Sequence, residues 1–232
     1  MKVAVIPARG GSQRIPRKNI KPFCGRPMIA WSIAAALDSG CFDRVVVSTE
    51  DAEIADVARA CSAEIPFVRP AALADHHTGT LAVMRHAVEA LGLADDALAC
   101  CIYATAPFIE VADLRRGRDL LAASDADYAF SVTRYPFPIQ RAIRLTADGR
   151  VAMFDPAQFA VRSQDLEEAF HDAAQFYWGR AAAWRAERPL FGHGAIPVVL
   201  PRHRVQDIDT PEDWERAEWL WRAMQAERAA AR

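Results

Sequence analysis

Short apolar runs separated by stretches of helical periodicity fill the first two-thirds of the chain, and they limit its fold more than any other feature. Residues 3–6, 44–48, 98–103 and 128–133 read as strands, with a further short one at 64–68. Between them, residues 27–40, 51–61, 80–91 and 111–123 carry helical spacing, the first opening at Pro27 and closing at Gly40. Proline suits a first helical position and glycine a helix end. Strands that alternate with helices imply βαβ units, a mainly parallel sheet and right-handed crossovers. Ligands of such sheets sit beyond the carboxyl ends of the strands. The expected fold is therefore α/β, a mainly parallel sheet flanked by helices.

The rhythm breaks at Tyr135-Pro136-Phe137-Pro138. Residues 134–172 are irregular, with turn signals at Asp148-Gly149 and Asp155-Pro156, and read as an inserted arm rather than a separate domain. Residues 175–178 and 196–200 look like further strands, and a long helix runs from Pro211 to about residue 230. Its Trp214, Trp219 and Trp221 are expected to pack rather than to stack on bases. The 232 residues suit one sizeable domain, 1–232.

Composition excludes several classes. A net charge of −2 gives no global field for nucleic acid or acidic membranes. No apolar run reaches the roughly 18–20 residues needed to span a bilayer, and the N-terminal run is too short for a signal peptide. The five cysteines (Cys24, Cys41, Cys61, Cys100, Cys101) are odd in number and contain no C-x-x-C pair. A disulfide framework or zinc site is not expected, and a reducing cytoplasm fits.

Any anionic ligand must then be met locally. The segment from Ala8 to Asn19, directly after the first strand, places Gly10-Gly11 beside Arg9, Arg14, Arg17, Lys18 and, slightly further on, Lys21. Adjacent glycines allow close backbone approach, and their N–H groups can line an anion-binding concavity. The segment matches neither G-x-x-x-x-G-K-[ST] nor G-x-G-x-x-G. Composition alone fits a solvated basic turn equally well; the position after the first strand of a parallel sheet favours phosphate binding.

A second constellation is Asp207-Ile208-Asp209. In an extended segment, residues two apart face the same side, so both carboxylates point one way while Ile208 points into the core. Paired carboxylates with phosphate oxygens make a hard site suited to Mg²⁺. The competing reading is a helix start: Thr210 is a good cap and Pro211 a good first residue, although capping does not require two acids ahead of it. Arg162-Ser163-Gln164-Asp165 and the run from His171 to Trp178 are polar for a strand approach. An arginine there could grip a carboxylate in bidentate fashion, and Gln175 can both donate and accept. On its residue type alone His171 reads as a capping or core histidine. His76 and His77, adjacent in a loop, make poor chelating geometry and read as polar loop residues.

The chain resembles the CMP–acylneuraminate synthetase family over residues 1–222. The motifs that carry the likeness are IPARGGSQRIPRKN, the segment from Arg69 to Asp75, CIYATAPF, FSVTRYPFPIQRA, RSQDLEEAFHDAAQFYWG and RVQDIDTPEDW. The likeness is greatest to the branch that activates pseudaminic acid. It implies a Rossmann-like nucleotidyltransferase working as a homodimer, with the arm at 134–172 exchanging contacts between subunits. It implies CTP and a nonulosonic acid as substrates, Mg²⁺ as cofactor, and no nucleic-acid or membrane partner. Lys18 matches the essential loop lysine; Ala8, Arg9, Gly10, Gly11 and Ser12 match the nucleotide cradle, with Arg69 and Thr78 nearby. Asp207 and Asp209 match the metal pair, Asp209 with a catalytic role. Tyr103, Thr105, Arg162, His171, Asp172 and Gln175 are the implied sugar contacts. The chemistry implied is attack of the sugar's anomeric hydroxyl on the α-phosphate of CTP, with pyrophosphate leaving and a CMP-sugar formed for glycosylation of surface structures. Tyr103 replaces the glutamine with which sialate-activating relatives read their sugar, which argues against sialic acid. Two other departures are Gln13, where relatives carry lysine, and Ala174, where this branch carries glycine. Activation of a stereoisomeric sugar such as legionaminic or N-acetylneuraminic acid, and a non-catalytic nucleotide-binding protein, are the alternatives; the second predicts a broken acid pair or a missing lysine, and neither is seen.

Overall fold

The computed structural model describes residues 1–230. Its centre is a six-stranded sheet in the order β10-β6-β9-β5-β1-β4. The strands are β1 (Lys2–Pro7), β4 (Arg44–Ser48), β5 (Leu98–Ile102), β6 (Tyr128–Arg134), β9 (Phe170–Arg180) and β10 (Ala195–Val199). Two small pairs lie outside it: β2 (Pro22–Phe23) with β3 (Arg26–Pro27), and β7 (Ile143–Leu145) with β8 (Val151–Met153). The helices are α1 (Met28–Ser39), α2 (Ala52–Ala60), α3 (Thr80–Ala90), α4 (Val111–Ala122), α5 (Ala181–Arg185) and α6 (Pro211–Ala230).

The buried strands β1, β4 and β5 are nearly continuous apolar runs, as expected where both faces of a parallel sheet are covered. The alternate side chains of β1 divide between two cores: Ala4 and Ile6 face α1, while Val3 and Val5 face α3. A third core seats α6. Phe23, Phe108, Ile208 and Trp214 are buried in it together, and Phe23 meets the Trp214 ring edge-on at 5.4 Å. Trp221 stacks obliquely on Trp31 at 4.3 Å. Trp219 corrects the packing expectation, since it is 59% exposed.

The α/β reading holds, with two differences. Residues 64–68 make a single bridge, Glu64 to Val46, rather than a strand, because the segment turns away to deliver Arg69. The last large strand begins earlier than the apolar pattern suggests, at Phe170, and β9 runs antiparallel to both neighbours. β9 is also bulged. Its pairing with β6 slips between Phe130 and Val132, and the surplus residues on β9 surround Ala174. The Ser131 hydroxyl accepts from the backbone N–H groups of Gln175 and Phe176, and Asp172 Oδ1 accepts from Ala174 N–H at 2.9 Å, so the bulge leaves these donors satisfied. Residues 135–169 project from the ends of β6 and β9 and carry exposed apolar side chains, among them Phe137, Leu145 and Phe159.

Ala174 adopts φ +51°, the left-handed region where a Cβ is strained by roughly 1 kcal/mol or more. This explains why glycine suits the position, and the alanine lies outside the cavity lined by the loop after β1. Ala174→Gly is therefore expected to raise stability by about 0.5–1 kcal/mol after the larger entropy of an unfolded glycine is subtracted. A urea midpoint that falls would contradict the strain.

Candidate active site

A cavity of about 310 Å³ opens beyond the carboxyl ends of β1 and β5, where a parallel sheet is expected to bind its ligand. Its walls come from the loop after β1, from residues 69–80, from the end of β5, and from Asp209.

The loop after β1 is held in shape by one of its own cations. Arg17 has φ +55° and forks onto Asp51, with nitrogen–oxygen distances of 2.5 and 2.9 Å, and reaches Glu53 at 2.6 Å. Asp51 at the same time caps α2 by accepting from Ile54 N–H at 3.0 Å. Chiefly through the Arg17 hydrogen bond, the Asp51 carboxyl is held down at about 2. Gly10 passes directly over this carboxylate. A Cβ there would lie 2.4 Å from Asp51 Oδ2, so only glycine fits, and its N–H donates to Glu50 Oε1 at 2.7 Å. Asn19, nearly buried, ties the loop to itself by donating to the Arg9 carbonyl at 2.9 Å. Arg17 is thus a structural brace, which leaves Arg9, Arg14 and Lys18 to face the cavity.

Lys18 joins the two constellations seen in the sequence. Its Nζ donates to the Ile208 carbonyl at 2.6 Å and to Asp209 Oδ1 at 3.2 Å. Arg14 pairs with the other Asp209 oxygen at 2.8 Å. Ile208 is fully buried, as the alternation required, and fixes the direction of both flanking acids. The Asp207 carboxyl is raised above the usual carboxylate range, first by partial desolvation and then by repulsion from Asp209, with Lys18 opposing. Two hard oxygen donors that repel one another suit a divalent cation. Among the described residues no cluster of three or more potential ligands forms, so such a cation would need phosphate oxygens or water to complete its shell.

The opposite wall carries Arg69, which is buried and bonds to the Ser48 hydroxyl at 3.1 Å and to the Ser48 carbonyl. Asp75 Oδ1 collects the N–H of His77, the N–H of Thr78 and the Thr78 hydroxyl, which fixes Thr78 at the rim. Tyr103 OH lies 2.7 Å from Thr80 Oγ1, and burial pushes the phenol up to about 12.

Of the expected nucleotide residues, Arg9, Ser12, Lys18, Arg69 and Thr78 line the cavity. Ala8 is buried behind it, with its N–H on Ser48 O, and Gly10 and Gly11 form the turn beside it. Of the expected sugar contacts, Tyr103 and Thr105 line the cavity. The other four stand apart within this chain. Arg162 sits on the projecting arm, paired with Asp165. The His171 ring packs 4.8 Å from Tyr135, with Nδ1 2.8 Å from the Asp172 carbonyl. Asp172 accepts the Tyr177 hydroxyl at 2.5 Å. Gln175 is 3% exposed and donates to the Arg204 carbonyl at 2.6 Å, because the bulge turns it into the core. The cavity is also lined by Arg14, named above only as one of the loop cations, by His76, read above as a polar loop residue, and by Asn19 and Thr80, for which no role was expected. Arg14 and Asn19 were within reach, sitting in the same loop as Lys18, but the contact between His76 and that loop spans more than sixty residues and leaves no local signal.

The cytidylyltransferase family profile matches residues 3–210, and the chain belongs to that family. It is similar to the pseudaminic acid cytidylyltransferase of Campylobacter jejuni, at 43% identity over 95% of this chain and 96% of the relative. It is also similar to the CMP-N,N'-diacetyllegionaminic acid synthase of Legionella pneumophila, at 29% identity over 94% and 95% of the two chains. Among solved structures, a CMP:2-keto-3-deoxy-manno-octonic acid synthetase complexed with CTP superposes with a TM-score of 0.69, covering 96% of this chain and 99% of its own at 17% identity, a likeness of fold.

The Arg17–Asp51 brace makes a pH prediction. The Asp51 carboxyl titrates lower in the folded chain than its ordinary 3.8, so its contribution is complete above about pH 4 and is lost as pH falls towards 2. Asp51→Asn keeps the helix cap but not the ion pair. With the partial exposure of Arg17 allowed for, it should lower stability by about 1–2 kcal/mol at pH 7. The gap to the parent should close in urea titrations near pH 2; a gap that persisted there would show that the pair is not its origin.

Proposed function

We propose that this chain transfers CMP from CTP to the anomeric hydroxyl of pseudaminic acid, releasing pyrophosphate. The observation that carries the reading is Lys18 spanning the cavity floor to Asp209, since it joins a glycine-lined cationic turn to a pair of acids around one site. The 43% identity to a pseudaminic acid cytidylyltransferase over nearly the full chain supports the choice of sugar, and legionaminic and N-acetylneuraminic acid are the alternatives.

In this reading Arg9, Arg14, Lys18 and the turn at Gly10-Gly11 receive the triphosphate, and Arg69 with Thr78 bounds the nucleoside side. Lys18 then neutralises charge that grows on the departing pyrophosphate, the usual positioning and electrostatic work of phosphoryl chemistry. Asp207 and Asp209 would hold a divalent cation, Mg²⁺ in our reading, whose contribution is neutralisation and orientation of phosphate oxygens. Tyr103 and Thr105 bound the side from which the sugar hydroxyl attacks; the buried phenol and the Thr80 hydroxyl fix one another there.

The reaction would run in the cytoplasm, in keeping with five unpaired thiols and with no helix among the described residues being long and apolar enough to cross a membrane. The single domain 1–232 would include residues 134–172 as an insertion whose exposed Phe137, Leu145 and Phe159 bury against a second copy of the chain. That insertion also bears Arg162, so the sugar contacts missing from one chain would come from assembly. Light scattering is expected to give twice the chain mass, and Leu145→Ser with Phe159→Ser a monomer; a monomeric parent would end this part of the reading.

Pyrophosphate release with CTP and each of pseudaminate, legionaminate and N-acetylneuraminate, with and without Mg²⁺, tests the activity. Turnover is expected with pseudaminate and Mg²⁺ and to fall on the order of 10²–10³-fold in Lys18→Ala or Asp209→Ala. A preference for N-acetylneuraminate would refute the sugar assignment.

A further inference from the structure

His76 is exposed on the connection between α2 and α3, yet both of its ring nitrogens are engaged by the phosphate loop. Arg9 Nη1 lies 3.0 Å from Nδ1, and the Gln13 side-chain amide lies 2.8 Å from Nε2. Its Cε1 is also the group nearest to Gly11, where a Cβ would stand 3.9 Å away. A guanidinium only donates, so Nδ1 accepts and the ring proton is on Nε2. Gln13 then receives that proton through its amide oxygen, turned about the last side-chain bond. Gln13 is an uncharged polar side chain in a turn that also carries Arg9, Arg14, Arg17 and Lys18, so an imidazole from the facing loop sits against a position of the turn that brings no charge of its own.

We infer that His76 is a triphosphate-binding residue that supplies, by taking up a proton when CTP binds, the positive charge that Gln13 does not carry. The inference rests on the CTP reading above. As the triphosphate draws the Arg9 donors onto its own oxygens, Nδ1 is released from the guanidinium and gains an anion as neighbour. One proton moves from solvent to Nδ1, no covalent bond changes, and the imidazolium donates to phosphate through a charge-assisted bond. The charged groups around the ring agree with this sequence. Arg9 contacts the ring, and Arg14, Lys18 and Arg69 line the same cavity, so an arriving anion meets the imidazole among cations. Asp75 and His77 belong to its own loop, where the Asp75 carboxylate is taken up by His77 N–H and Thr78. Glu50 is turned to Gly10 N–H, and Asp209 is reached only through Arg14 and Lys18.

The test is calorimetric titration of CTP with Mg²⁺ at pH 6, 7 and 8, in two buffers of different ionisation enthalpy, on the parent, His76→Asn and His76→Asn with Gln13→Lys. The nucleotide's terminal phosphate titrates in the same window, so the difference from the parent is the readout. The parent should take up roughly half a proton more than His76→Asn at pH 7. His76→Asn should bind roughly fivefold to tenfold more weakly at pH 6 and almost equally at pH 8. The double variant should regain affinity at all three values without the extra uptake. CTP binding by the parent with the same uptake as His76→Asn overturns the inference and leaves the functional reading standing, whereas a parent that does not bind CTP overturns the functional reading and this one with it. A double variant no tighter than His76→Asn overturns the exchange of charge between the two positions.

Discussion

The contact from Lys18 Nζ to the Ile208 carbonyl and the Asp209 carboxylate closes the site, and much else serves to keep it in place. It joins parts of the chain about 190 residues apart. On one side the loop depends on Arg17 being held by Asp51 and Glu53. On the other, the acid segment depends on Ile208 being buried beside Trp214 and on the start of α6. There Asp213 Oδ2 accepts from Asp209 N–H, Thr210 N–H and the Thr210 hydroxyl, while Thr210 Oγ1 accepts from Asp213 N–H. The helix start and the acid pair were competing explanations of one sequence segment; the cap is present, and it fixes the backbone that aims Asp209 at Arg14 and Lys18.

The cations of the phosphate loop divide by task, and geometry makes the division. Arg17 is sequestered by two acids of α2 and its cap, and its charge is matched there. Arg14 and Lys18 share one carboxylate, Asp209, whose two oxygens they occupy separately. Arg9 is turned to the Asp75 carbonyl and His76. A chain of net charge −2 thereby concentrates positive charge at the carboxyl edge of its sheet. The same economy applies to the bulge of β9: its hydrogen bonds are met by Ser131 and Asp172, so Gln175 is free to turn inward and lock the segment that leads to the acids.

Local pattern was enough to read β1, β4, β5, β6, α1 and α6, because short, nearly continuous apolar runs bounded by turn signals mark buried strands, and proline and glycine mark helix ends. It was enough, too, to single out Lys18, Arg9, Ser12 and Asp209, which line one cavity, since a glycine-rich cationic turn and an acid-x-acid segment are each contiguous in sequence. Residues 64–68 misled because β propensity in five residues cannot tell a strand from a chain end delivering an arginine. The inward turn of Gln175 could not be read, because one residue of slip in a strand reverses its face and a bulge is invisible to alternation.

The sequence by itself therefore determined the sheet, its flanking helices and the chemical kinds of group at its edge, for these follow from short-range periodicity and residue type. Only the tertiary structure decided which of those groups meet. It set Arg17 aside as a brace, brought His76 onto Arg9 and Gln13, and left Arg162, His171 and Asp172 outside the cavity of a single chain. The reason is that such pairings depend on loop paths and strand register across tens to hundreds of residues, and no window of the sequence contains both partners.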